Sequence, residues 1–128
     1  MIVYYDSKTG NVEKFINNLL IVKAKEANIN IEAYKIDENL KIENKGHFIT
    51  YTSGKGAIPS LSKKFLDANS SLILTISSSG SIAKHEETFA MAVDKGVSSY
   101  GLKAGIKFDK SGKEEDALAL LELFKEIS

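Results

Sequence analysis

The chain has 128 residues, 43% of them hydrophobic, and its 17 basic and 17 acidic residues give a formal net charge of zero. This length favours one domain over residues 1–128, and the charge balance disfavours nucleic-acid binding through a basic field over the whole domain. No apolar run approaches the roughly 20 residues that a membrane helix needs. The absence of cysteine excludes disulfides, thiolate metal sites and cysteine nucleophiles, and with no signal-peptide pattern at the start we expect a cytoplasmic protein.

The first half of the chain predicts three strands and one helix. Residues 2–5 (IVYY) are β-branched and aromatic, and residues 12–24 place apolar side chains at helical spacing. Residues 29–36 alternate with period two, which predicts a strand with one exposed face near a sheet edge. Residues 46–52 (GHFITYT) predict the third strand, and the stretch before them, 37–45, is short for a crossover helix.

The second half alternates helix with strand. Pro59 suits the first turn of a helix, because a proline lacks the N–H that would be unpaired there. Residues 71–78 are almost continuously apolar, as in a strand covered on both faces. The remaining predicted elements are a helix containing Phe89, Met91, Ala92 and Val93, a strand over 102–108, and a last helix that begins at the capping-box pattern Ser111-Gly-Lys-Glu114.

This order of elements predicts an α/β fold. Strands that alternate with helices favour a parallel sheet covered on both faces, and five such strands favour the order 2-1-3-4-5 of the flavodoxin-like three-layer sandwich. In sheets of this kind, ligands bind beyond the carboxyl ends of the strands, at the switch point between strands 1 and 3.

Three loops at that predicted edge are rich in serine, threonine and glycine. They are residues 6–11 (DSKTGN), 50–57 (TYTSGKGA) and 77–81 (SSSGS). Ordinary turn formation explains any one of them about as well as ligand binding does. It explains all three on one edge poorly, so we expect a binding site there.

The first loop has the composition of a phosphate site. A strand that ends at a helix N-terminus leaves unpaired N–H groups beside a partial positive charge, which favours phosphate. Ser7 and Thr9 add hydroxyls, Gly10 allows close approach of the backbone, and Asn11 donates its amide or caps the helix. Lys8 either offsets the phosphate charge or points to solvent. Because the patterns GxxxxGK[ST] and GxGxxG are both absent, a mononucleotide phosphate is favoured.

The phosphate-loop sequence resembles a known family. The residues Ser7-Lys8-Thr9-Gly10-Asn11-Val12 resemble the flavodoxin pattern [ST]-x-T-G-N-T, with Val12 in place of the last threonine. Together with TYTSGKGAIP (50–59) and SSSGS (77–81), the wider string DSKTGNVEKF (6–15) is similar to NrdI, a family of small flavodoxin-like proteins.

The resemblance implies FMN as the cofactor and an accessory redox role rather than conventional enzymatic turnover. In this family, reduced flavin reacts with oxygen and supplies superoxide to the dimanganese small subunit of class Ib ribonucleotide reductase. The metals then belong to that partner, and a flavodoxin reductase or similar protein supplies electrons. The FMN-binding residues that we expect lie in these three loops or beside them: Ser7, Lys8, Thr9, Gly10, Asn11, Val12, Thr50, Tyr51, Thr52, Ser53, Gly54, Lys55, Gly56, Ser78, Ser79, Gly80 and His85.

Each residue expected near the flavin ring has both a flavin-binding interpretation and a purely structural one. Tyr51 either stacks on the ring or packs on a neighbouring helix. Gly54 and Gly56 either allow a peptide flip that places a carbonyl near N5 of the flavin or serve an ordinary tight turn. Lys55 either stabilises anionic flavin or superoxide or is solvated. His85 either covers the ring, since residues 80–88 lack an aromatic, or is a plain surface histidine.

Two other functions remain open from the sequence. An ordinary flavodoxin acting as a one-electron carrier has the same phosphate loop and the same fold. A flavin-free binding module shares the fold too, although a phospho-receiver needs an aspartate at the end of strand 3, where this chain has Thr50 and Tyr51. Outside the loops, we expect a structural role for His47 and helix-dipole compensation by Glu86 and Glu87.

Overall fold

The computed structural model describes residues 1–127, which contain a five-stranded sheet in the order β2-β1-β3-β4-β5. Every strand pairing is parallel, which confirms the predicted topology. The edge position predicted for β2 is also confirmed, although the strand is shorter than the alternating pattern over 29–36. The strands are β1 (Ile2–Tyr5), β2 (Glu32–Lys35), β3 (Gly46–Tyr51), β4 (Ile73–Gly80) and β5 (Lys103–Asp109).

Four helices connect and cover these strands. Helix α1 (residues 11–26) consists of an α-helical turn, Asn11–Lys14, a π-helical segment, Phe15–Leu20, and a second α-helical segment, Ile21–Glu26. The others are α2 (Ser60–Asn69), α3 (Ala92–Tyr100) and α4 (Glu114–Glu126). Within residues 1–127, each helix is too short or too polar to cross a bilayer.

Two apolar clusters hold the helices against opposite faces of the sheet. On one face, Val3, Tyr5 and Ile49 pack against Phe15 of α1 and Leu120 of α4. On the other face, Tyr4, Phe48 and Ile76 pack against Phe65 of α2 and Val93 of α3. Because successive side chains of a strand point to opposite faces, β1 and β3 supply both clusters, and the fold has three layers.

Several predicted element boundaries are wrong. Pro59 is the N-cap of α2 rather than its first helical residue, with an extended ψ of 149°. Residues 70–72 form a 3-10 turn, so β4 begins later than predicted and continues to Gly80. Phe89 and Met91 precede α3 in irregular turns, because Ala90 has a positive φ of 47° that interrupts helical geometry.

The predicted cap at Ser111 is also wrong. Helix α4 is capped at Lys113, whose backbone N–H donates to Oδ2 of Asp116 at 2.8 Å. The chain makes a turn at Gly112, where φ is 75° and an added Cβ would lie 2.6 Å from Cδ1 of Phe15. This close approach to the core moves the start of the helix beyond the serine.

The structural role predicted for His47 is confirmed. The side chain is 1% exposed, and its Nδ1 lies 2.8 Å from Oγ1 of Thr75. The ring stacks on Phe124 of α4 with 3.8 Å between ring centroids. Burial lowers the pKa of His47 to about 4, so the ring is neutral at physiological pH.

Candidate functional site

The loops after β1, β3 and β4 meet at the carboxyl edge of the sheet. The three strands are adjacent and parallel, so their ends lie side by side. The loop after β1 leads directly into α1, the loop after β3 reaches α2, and residues 81–91 connect β4 to α3. The predicted convergence of the three polar loops is therefore observed.

The loop after β1 leaves its backbone donors free. Within residues 1–127, the backbone N–H groups of residues 7–12 donate to no protein acceptor. The first two donors of α1 that are paired are Glu13 N, 3.3 Å from Ser7 Oγ, and Lys14 N, 2.9 Å from the carbonyl oxygen of Gly10. A run of free donors at the start of a helix is the arrangement that binds an anion.

Glycine is required where this loop enters the helix. Gly10 is the N-cap, with φ of 92° in the left-handed region, and no heavy atom lies within 4 Å of an added Cβ. Gly10, rather than Asn11, therefore caps α1. Lys8 and Thr9 are exposed, Ser7 and Asn11 are partly exposed, and Val12 is buried with 1% exposure. Val12 can therefore offer a ligand its backbone N–H and not its side chain.

The loop after β3 is a tight turn closed by its own backbone. Ser53 N donates to the Ala57 carbonyl at 2.8 Å, and Ala57 N donates back to Ser53 at 2.7 Å. Gly54 and Gly56 both have positive φ, 46° and 90°. An added Cβ meets nothing at Gly54, whereas at Gly56 it would lie 2.6 Å from Sδ of Met91. Gly54 therefore has room to change conformation, and Gly56 is packed.

Thr52 joins three segments of the site. Its Oγ1 lies 2.8 Å from Ser78 Oγ and accepts a 3.4 Å hydrogen bond from the backbone N–H of Ala92 at the start of α3. Ser78 donates its hydroxyl proton to the Ser79 carbonyl at 2.9 Å, so the Thr52 hydroxyl is left to donate to Ser78. Ser78 is fully buried, and Ser79 is 4% exposed.

Thr50 faces away from the loops. It is fully buried on the α2 face, where its Oγ1 lies 2.8 Å from Ser62 Oγ. Ser62 in turn donates to Oδ2 of Asp6 at 2.7 Å. Thr50 and Tyr51 point to opposite faces of β3. Thr50, which was predicted to bind FMN together with Tyr51, is instead part of a buried chain of hydrogen bonds.

Tyr51 is partly exposed at the edge and packs on the α1 and α4 side of the sheet. Burial raises the pKa of the Tyr51 phenol, and the negative charge of Asp6 raises it further. The predicted alternative of packing within the fold is thus observed, and the residue as a whole remains partly exposed.

The segment between β4 and α3 is fastened to the end of β5. Ile82 N donates to Oδ1 of Asp109 at 3.0 Å, and Lys110 N donates to the Gly80 carbonyl at 2.8 Å. Gly80 lies so close to the segment's far end that an added Cβ would be 2.6 Å from the backbone nitrogen of Ala90. Asp109 was not among the predicted site residues; its signal was a fourth polar stretch, DKSG, after the fifth strand.

The loops after β3 and β4 enclose a narrow cleft. Its volume is about 20 Å³, room for about one water molecule. Outside it lies an open groove of about 470 Å³ lined by Lys55 and residues 82–88, which include the exposed His85. Ser81, Thr88 and Ala90 were missed by the sequence analysis. The cleft is lined by Thr52, Gly54, Gly80, Ser81, His85, Thr88 and Ala90.

Comparisons with known proteins identify the family to which this chain belongs. A family profile described as "NrdI Flavodoxin like" matches residues 3–122. The "SPbeta prophage-derived protein NrdI" of Bacillus subtilis is 30% identical over 118 residues, which cover 92% of this chain and 86% of that protein. "Protein NrdI" of Bacillus licheniformis is 31% identical over 95% of this chain and 82% of its own length.

A solved structure supports the fold. Oxidised Flavodoxin 2 from Bacillus cereus superimposes with a TM-score of 0.67, covering 96% of this chain and 98% of that one, at 22% sequence identity. This confirms the flavodoxin-like architecture, while the two NrdI relatives and the profile carry the family assignment. The chain belongs to the NrdI flavodoxin-like family, which implies a flavin cofactor.

Proposed function

We propose that this chain is an FMN-binding redox protein of the NrdI type, which supplies superoxide for assembly of the dimanganese–tyrosyl radical cofactor of a class Ib ribonucleotide reductase small subunit. The single observation that carries the proposal is the run of free backbone N–H groups over residues 7–12. The bound flavin would carry out the redox reaction with oxygen. The protein would bind the flavin, orient it and control the access of oxygen to it.

The free donors fit a phosphate monoester. Several adjacent N–H groups at the start of a helix, with the Ser7 and Thr9 hydroxyls beside them, match the charge and the number of acceptor oxygens of FMN. Riboflavin has no phosphate to use these donors. The loop therefore predicts a strong preference for FMN.

The ring-binding role is assigned to the loops after β3 and β4. Lys55 and His85 line the open groove, so their side chains are available to a planar ligand there. The inner cleft is too small to hold the flavin ring. We therefore propose that the edge of the ring rests against Gly54 and Gly80 at the mouth of the cleft. Gly54 is unhindered, so its peptide is free to turn and present a carbonyl to a protonated ring nitrogen.

An open groove leaves one side of the ring accessible to oxygen, which suits a supplier of an oxidant. Lys55 is exposed at this groove and would attract an anionic product. The partner would hold the two manganese ions, and a flavodoxin reductase or similar protein would supply electrons. We further propose a single-domain protein that works in the cytoplasm.

Cofactor identity is tested by titrating the purified protein with FMN and with riboflavin. We expect FMN binding to be at least tenfold tighter, because hydrogen bonds to a charged group contribute about 1.5–3 kcal/mol each. Equal affinity for the two flavins would overturn the phosphate assignment. Absorbance spectra and quenching of flavin fluorescence give both affinities.

The oxidant-supply role is tested by reconstitution. A manganese-loaded class Ib small subunit should gain its tyrosyl radical only when this protein, a reductant and oxygen are all present, as followed by electron paramagnetic resonance. Gly54→Val should impair this activation more than it impairs FMN binding, because it restricts the peptide and not the phosphate loop. A reduced protein that persists in air, together with no radical, would instead support a one-electron carrier.

A further inference from the structure

A second concave surface lies on the face of the sheet covered by α2 and α3, separate from the cleft between the loops. It is an open groove of about 440 Å³ between the two helices. Its lining combines apolar side chains with charged and hydroxyl groups. The residues that matter here are Ile58, Lys63, Asp67, Lys95, Ser99 and Tyr100.

The single carboxylate of the groove already has partners. Oδ1 of Asp67 accepts a hydrogen bond from the Tyr100 hydroxyl at 2.6 Å, and Oδ2 lies 3.3 Å from Nζ of Lys63. The hydrogen bond from Tyr100 lowers the pKa of Asp67, and burial, together with this hydrogen bond, raises the pKa of Tyr100 to about 12. Asp67 is therefore ionised, paired and a poor partner for an incoming cation.

The groove also contains hydrogen-bond donors on Lys95 and Ser99 that the paired Asp67 does not use. Lys95 is partly buried, yet across the described residues no carboxylate oxygen lies within 4.0 Å of its Nζ. The Ser99 hydroxyl is exposed on the same wall. Two lysines against one paired aspartate leave a net positive charge and unused donors beside the apolar side chain of Ile58, which also lines the groove. The complementary ligand carries a carboxylate next to an apolar group.

We propose that the groove between α2 and α3 binds an extended segment of a protein partner, with an acidic side chain at Lys95 and an adjacent apolar side chain over Ile58. Its open form suits a peptide segment rather than an enclosed small molecule. The groove also borders Ala57, which closes the 53–57 turn at the candidate site. A partner positioned over that site is therefore within reach of this groove.

The probe is a matched pair of blocked peptides, acetyl-Leu-Glu-Leu-amide and acetyl-Leu-Gln-Leu-amide, titrated into the full chain and followed by ¹⁵N–¹H NMR. We expect shift changes around residues 57–58, 63–67 and 95–100, and binding of the glutamate peptide about fivefold tighter than the glutamine peptide. Lys95→Met should remove that difference. Lys103→Met, an exposed lysine on β5, should retain it.

Three outcomes would overturn the proposal. Shift changes that do not map to the groove remove the site, and equal binding of the two peptides removes the role of the carboxylate. Sodium acetate that reproduces the same shifts at the same concentration leaves an anion site without a peptide segment. The proposal does not require flavin, so it stands or falls separately from the FMN titration.

Discussion

The polar groups of the buried sheet and those of the loop after β1 look alike in the sequence and behave differently in the structure. Inside the fold, Thr50, Ser62 and Asp6 form one hydrogen-bond chain, and among residues 1–127 no buried side-chain polar atom lacks a partner. At residues 7–12, the backbone N–H groups find no protein acceptor anywhere in the described chain. Composition alone does not mark a ligand site; unused hydrogen-bonding capacity does.

The glycines of these loops show a similar contrast in how closely they are packed. The space beside the Cα of Gly56 is occupied by Met91 and Thr88, whereas Gly10 and Gly54 face open space. The same residue type thus serves close packing at one position and leaves open space at the other two, and Gly54 and Gly56 differ in this way within a single loop. Changes to packed or paired groups should therefore act mainly on stability, and changes to open or unpaired groups mainly on ligand binding.

The largest effect is expected for Gly56→Val. Its Cβ would meet Sδ of Met91 at 2.6 Å in a backbone with φ of 90°, so strain and overpacking should together cost about 4 kcal/mol of unfolding free energy. Gly54→Val, with φ of 46° and no nearby atom, is the control and should lose less than half as much. Urea denaturation measures both, and equal losses would contradict the packing difference.

Acid should destabilise the protein through His47. Its pKa is about 4 when folded and roughly 6.5 when unfolded. The unfolded chain therefore binds the extra proton between these values, so stability falls as the pH drops from about 6.5 to about 4, by about 3 kcal/mol, and then levels off.

The test of this acid effect compares chemical denaturation at several pH values for wild type, His47→Gln and the exposed-site control His85→Gln. Only His47→Gln should flatten the slope between pH 6.5 and 4. A slope unchanged in His47→Gln would show that other groups carry the acid sensitivity.

Thr9→Ala should weaken FMN binding by about 2 kcal/mol, roughly thirtyfold, because it removes one donor to a charged group. Thr9 is exposed and makes no hydrogen bond within residues 1–127, so the unfolding free energy should change by less than about 0.5 kcal/mol. Fluorescence titration and denaturation of the same preparation separate the two effects. An unchanged FMN affinity would remove Thr9 from the site.

Ser62→Ala should show the opposite pattern. It removes the hydroxyl that donates to the buried Asp6 carboxylate at 2.7 Å, and it leaves Thr50 with the Tyr51 carbonyl, 3.1 Å away, as its remaining partner. We expect a loss of about 2 kcal/mol in unfolding free energy and little change in FMN affinity. If Ser62→Ala lost FMN affinity and kept its stability, the hydrogen bonds among Thr50, Ser62 and Asp6 would belong to the ligand site.

The smallest effect is expected at Asp109. Asp109→Ala removes the acceptor for Ile82 N and should weaken FMN binding about threefold, because the segment over the groove is less well held. Asp109→Asn keeps an acceptor oxygen and is the matched control. Equal effects of the two variants would assign the role to charge rather than to positioning.

The alternation of strands and helices was sufficient to predict the sheet order and the edge where the loops meet. These features depend on local periodicity and on the way parallel strands are connected, and both are visible in the sequence. Helix starts were less predictable. Lys113 replaces Ser111 as the cap of α4 because Gly112 packs against Phe15, a contact between residues far apart in the chain.

The same division holds for the site. The phosphate-loop pattern over residues 7–12 is contiguous, so the sequence by itself was enough to propose the anion site and to show which family the chain resembles. Only the tertiary structure decided which hydroxyls remain free: Thr50 bonds to Ser62, twelve residues away, and Thr52 to Ser78, twenty-six away. It likewise decided the role of Asp109 and the groove between α2 and α3. Hydrogen-bond pairing across the sheet is a property of three-dimensional neighbours, and a strand sequence reports only which face each side chain occupies.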